Sequence, residues 1–116
     1  MPSSRRIEKL NILFREELAR ILDREIEFPE GILATVTRVA LSPNARHAAA
    51  YISVLGGAGN TALAIIEKNV YDIQQMVNRA IRMRPVPQIA FHIDEEEDRR
   101  ERVEKSLAEL KQKGDL

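Results

Sequence analysis

Apolar residues recur along this chain in two rhythms. Over residues 5–25 they return every three or four positions, so that Ile7, Leu10, Phe14, Leu18 and Ile21 share one face of a predicted helix. Ser3 or Ser4 caps its start, and Phe28-Pro29-Glu30-Gly31 closes it. From 32 to 41 (ILATVTRVAL) β-branched residues crowd together, and the pattern becomes that of a strand. Ser42-Pro43-Asn44 supplies a turn. Residues 46–55 (RHAAAYISVL) then alternate, with Ala48, Ala50, Ile52 and Val54 on one side and His47, Ala49, Tyr51 and Ser53 on the other. Two strands joined by a short turn predict an antiparallel hairpin.

The helical rhythm returns after a loop at Gly56–Asn60, with Asn60 or Thr61 as cap. Leu63, Ile66, Val70, Ile73, Val77 and Ile81 form its stripe, which Pro85 and Pro87 stop at Arg84. Asn69 is a poor helix former, so the stretch reads as one long helix or as two shorter ones. Residues 87–93 (PQIAFHI) give a third strand with Ile89, Phe91 and Ile93 on one face. Beyond it only Val103, Leu107 and Leu110 keep helical spacing, which predicts a frayed or weakly docked helix. One three-stranded sheet with helices packed on one face buries all three apolar stripes. The predicted class is α+β.

Composition sharpens this picture at three points. A chain of 116 residues makes one domain with a modest core. The absence of Cys excludes disulfides, thiolate metal sites and Cys nucleophiles. No apolar run approaches the roughly 20 residues that span a bilayer, and Met1–Arg6 leads into no signal-peptide core, so a cytoplasmic location is expected. The 18 basic and 18 acidic side chains cancel, but they are not evenly spread. Residues 1–93 carry 12 basic and 9 acidic groups, and residues 94–116 carry 6 and 9. The tail opens with Asp94-Glu95-Glu96-Glu97-Asp98, which reads as a solvated run. A basic body and an acidic tail are a composition-level hint of nucleic-acid contact.

Catalytic chemistry has little to stand on. His47 and His92 fall on different strands with no helical His partner, and there is neither a phosphate loop nor a nucleophile turn. Asp94–Asp98 lacks the spaced ligands and the glycine of a calcium loop. No enzyme, metal or cofactor is expected. Gly56–Gly59 matches the G-x-x-G clamp of RNA-binding domains, but it joins a strand to a helix and reads as a flexible connection. Phe14, Phe28, Tyr51, Tyr71 and Phe91 fall mostly on apolar faces, and no stacking platform for bases is expected. The most informative surface is a polar stripe of Lys68, Asp72, Gln75, Arg79 and Arg82, within roughly 80° of arc on a continuous helix, with Arg84 at its end. Such a stripe suits phosphate contact. It equally suits any solvated helix whose C-terminal arginines complement the dipole.

Four blocks in order carry a family resemblance: Arg6-Ile7, VTRVALSPN at 36–44, AAYISVLG at 49–56 and RAIRMRPVPQIAFHID at 79–94. Over about residues 5–110 the chain resembles bacterial ribosome-binding factor A. The resemblance implies a type II KH-like fold of order αββααβ, with an RNA-binding domain at 1–94 and an acidic, weakly helical or mobile tail at 95–116. It implies a non-enzymatic assembly factor, monomeric when free, that needs neither membrane nor cofactor. Such a factor binds the small (30S) ribosomal subunit and its rRNA and supports 16S rRNA 5′-end processing, especially in the cold. On this reading Arg79 and Arg82 contact phosphates, Lys68, Gln75 and Arg84 support them, and Arg6 and Lys9 extend the surface. The alternative is a small protein–protein module with no nucleic-acid contact. One departure stands out. The family's Ala-x-Gly helix kink falls on Asn69-Val70-Tyr71. Asn69 tolerates a kinked backbone, but Tyr71 replaces a glycine only with strain, so the kink is expected to be shifted or built differently.

Overall fold

A computed structural model describes residues 3–56 and 59–112. Its elements are α1 (Ser4–Glu25), β1 (Leu33–Leu41), β2 (His47–Leu55), α2 (Gly59–Lys68), α3 (Val70–Ala80), β3 (Gln88–Ile93) and α4 (Glu95–Gln112). The αββααβ order of the sequence reading is present, followed by a further helix. Gly57 and Ala58 of the G-x-x-G stretch, and 113–116 of the tail, lie outside the described residues.

The sheet runs β1-β2-β3. β1 and β2 are antiparallel, and β2 and β3 are parallel, as the helical crossover between them requires. Alternation then divides the residues between two faces. Val36, Val39, Leu41, Ala48, Ala50, Ile52, Ile89 and Phe91 point inward and are buried. Against them α1 lays Phe14, Leu18, Ile21 and Leu22, α2 lays Ala62 and Ile66, and α3 lays Ile73 and Val77. Each fully buried Leu, Ile or Phe contributes roughly 1.5–3 kcal/mol over its exposed state, so this single interface is the main source of stability. β1 carries a bulge between Val36 and Arg38, which adds Thr37 to one strand only.

The second helical segment is broken at Asn69, whose φ of −105° and ψ of 7° leave the helix. Its backbone N–H reaches the Ile66 carbonyl at 3.0 Å, and its side-chain amide donates to the Ile65 carbonyl at 2.8 Å. Asn69 thus builds the break with its own amide, and Val70 and Tyr71 are already in α3. The strain expected at Tyr71 does not arise, because no glycine conformation is needed there. Tyr71 points to solvent.

Two further expectations are corrected. The helix ends at Ala80 rather than Arg84: Ile81 turns extended (φ −106°, ψ 127°) and drops its side chain into the core. The tail forms an 18-residue helix over Glu95–Gln112, on which Val103, Leu107 and Leu110 are exposed. Asp94 is not part of a solvated run. It is 5% exposed and accepts the Glu97 N–H on Oδ1 at 3.2 Å, as a helix cap for α4. No helix among the described residues is long and apolar enough to cross a membrane.

Candidate nucleic-acid interface

α3 places Asp72, Gln75 and Arg79 at spacings of three and four, which is one outward face. Arg79 is exposed in the last turn and Gln75 is half-buried. The continuous stripe expected from periodicity does not exist. Lys68 ends α2 on the far side of the Asn69 break, and Arg82 follows the helix on extended chain. Gln75, Arg79 and Arg82 remain grouped along the C-terminal half of α3 and its exit. Arg6 and Lys9 are exposed on α1, the neighbour of α3 in the helical layer. Among the described residues, Lys68, Arg79, Arg82, Arg6 and Lys9 form no ion pair. Their charges are available to an outside anion.

Arg84 is different. Its Nη1 donates to the carbonyls of Ile81 at 3.1 Å and Met83 at 2.6 Å, and its Nη2 donates to that of Asn78 at 3.2 Å. The guanidinium satisfies carbonyls that the end of α3 leaves open. These three hydrogen bonds to its own chain set Arg84 apart from Arg79 and Arg82. Gln74 plays a parallel part. Its amide donates to the Pro87 carbonyl at 3.1 Å and accepts the Ile89 N–H at 2.9 Å, pinning β3 to α3.

A groove of about 630 Å³ lies between α2, the start of α3 and the free edge of β3. Leu63, Val70 and Phe91 line it, and Glu67 and Glu95 add carboxylates. That lining repels phosphate. At the loop before α2, Gly56 has φ +83°, and a Cβ there would run into the Gly31 carbonyl. The glycine is explained by this close approach of two loops.

The outward sheet face holds residues that periodicity did not assemble. The register sets Arg38, Tyr51 and His92 in one row across the three strands. The Arg38 guanidinium lies 3.7 Å over the Tyr51 ring, a cation–π contact. The Tyr51 and His92 ring centroids are 5.6 Å apart. Beside them Asp94 Oδ2 accepts a hydrogen bond from the Thr37 hydroxyl at 2.5 Å and lies 3.6 Å from Arg38 Nε. The Thr37 hydrogen bond holds the Asp94 carboxyl below its usual range, and the Glu97 N–H and the Arg38 charge act the same way against the opposing effect of burial. Alternation in β2 was the available signal for Tyr51, but the bulge at Thr37 hid the row.

Comparison with known proteins settles the family. The family model for ribosome-binding factor A matches residues 6–107. The chain belongs to the ribosome-binding factor A family. Ribosome-binding factor A of Natranaerobius thermophilus is 34% identical over 110 residues, covering 93% of this chain and 84% of that protein. That of Thermomicrobium roseum is 30% identical over 114 residues, covering 97% and 88%. Among solved structures, the crystal structure of ribosome-binding factor A from Thermus thermophilus superposes with a TM-score of 0.68 at 23% identity, covering 75% of this chain and 93% of that one. A homology model of the Thermus thermophilus factor, fitted into the cryo-EM map of a complex of the factor with the 30S subunit, gives 0.64 at 24% identity and covers 72% and 90%. These likenesses fix the α+β fold.

Proposed function

We propose that this chain is a non-enzymatic, cytoplasmic assembly factor that docks on the small ribosomal subunit through its rRNA. Residues 1–94 form the binding domain and residues 95–116 an acidic appendage. Arg79 and Arg82 contact phosphates, with Gln75 beside them, Lys68 supporting from across the Asn69 break and Arg6 and Lys9 extending the surface from α1. The observation that carries the reading is that these cations stand exposed with no ion pair among the described residues, in a member of a ribosome-binding family. The Thermus thermophilus relative seen on the 30S subunit supports the same partner. Maturation of the 16S rRNA 5′ end, most needed in the cold, is the step this docking serves.

Co-sedimentation with purified small and large subunits across a salt series tests the reading. Binding is expected to the small subunit. With the five named cations each neutralising a phosphate at roughly 0.7–0.9 apiece, the logarithm of the affinity should fall by about 3.5–4.5 for each tenfold rise in salt. Equal binding to both subunits would sink it. A nearly flat salt response would point to a protein surface as the contact instead.

A further inference from the structure

Part of the sheet's outward face is exposed: Arg38, Ala90 and His92 face solvent, whereas Ser53 on the same face is buried. β1, β2 and β3 together contain no Asp or Glu. Asp94, the carboxylate next to them, is buried and committed to Thr37, Arg38 and the α4 cap. On the exposed side the Arg38–Tyr51–His92 row presents three flat groups, with the Arg38 side chain 51% exposed. The next row of the register is Ala40, Ala49 and Ala90, a floor of methyl groups set lower than the rings beside it. Gln88 follows on β3, exposed, with an amide able to donate and accept. Flat groups, a shallow floor, an amide and a cation are the features that hold a nucleobase on its sugar–phosphate chain, and the carboxylates of Glu67 and Glu95 lie at the His92 edge, away from Arg38.

We propose that this face is a second RNA contact, a platform on which an unpaired base of single-stranded RNA stacks against the Arg38–Tyr51–His92 row. The base lies over the alanine floor. Its edge meets Gln88 and its phosphate meets Arg38. Duplex RNA is excluded, because its base faces are already stacked.

The experiment uses the full chain with tyrosine 71 replaced by phenylalanine (Tyr71→Phe). With two Tyr and no Trp in the sequence, Tyr51 then supplies all the tyrosine emission. A mixed-sequence RNA hexamer should quench that emission, and a hairpin duplex of similar charge should not. His92→Ala alters an exposed ring and leaves the fold intact, and it should weaken hexamer binding roughly fivefold or more. Arg79→Glu with Arg82→Glu should leave the quenching in place, which separates this platform from the helix surface. Absence of quenching at saturating hexamer, or unchanged affinity for a fluorescently labelled hexamer, read by its anisotropy, in a His92→Ala, Tyr51→Ala double variant of native melting temperature, overturns the platform.

Discussion

Phe91 and His92 are neighbours on β3 with opposite fates. Phe91 turns inward and is 6% exposed within the hydrophobic core, whereas His92 turns outward and is exposed. The same division runs through the whole sheet. The inward face is a packing surface whose residues answer to volume. The outward face carries an arginine, two histidines and a row of alanines, whose identities packing does not explain. Stability should therefore reside on one face, and sensitivity to ligands on the other and at the exit of α3.

The sharpest way to break this contrast is at its packed side. Phe14→Ala empties a fully buried ring between α1 and the sheet. It should cost about 3–5 kcal/mol in denaturant unfolding. A loss below 1 kcal/mol would mean that the helical layer is not what holds the sheet.

Next in size is Asp94, where the two faces and α4 meet. Asp94→Asn removes a charge-assisted hydrogen bond and an ion pair, and should cost about 2 kcal/mol at neutral pH. The sign with pH follows from the depressed carboxyl. Folding lowers it from its ordinary 3.8, so the stability it adds is present above that value and is lost as pH falls through the lower folded value. Acid titration of the melting temperature should show that loss in the native chain and not in the variant.

These residues also show what sequence reading reaches. α1, the hairpin and β3 follow from spacing alone, because one face of each is buried and the period is unbroken. Asp94 reads as one of five acids because its burial depends on the Thr37 bulge, a register detail with no local signature. The end of α3 is missed for a related reason. Ile81 fits the helical stripe and also fits extended chain turned inward, and only tertiary packing decides between them. Arg79 and Arg82 remain exposed where the spacing places them, while Arg84, two residues on, closes the helix.

Arg84→Ala tests that last distinction. It leaves three carbonyls to water, so it should lower stability by about 1 kcal/mol while leaving small-subunit affinity nearly unchanged. A large loss of affinity at native stability would return Arg84 to the binding surface. The smallest expected effect is on the open face, where His92→Ala should move unfolding by no more than about 0.5 kcal/mol. A larger change would show that the outward row is structural.

The most direct measurement is co-sedimentation of Arg79→Glu, Arg82→Glu with purified small ribosomal subunits at low salt, beside the native chain. Both side chains are exposed and form no ion pair among the described residues, so the double variant should keep its melting temperature. The account predicts that it stays in the supernatant while the native chain pellets. A folded double variant that sediments with native affinity would contradict it.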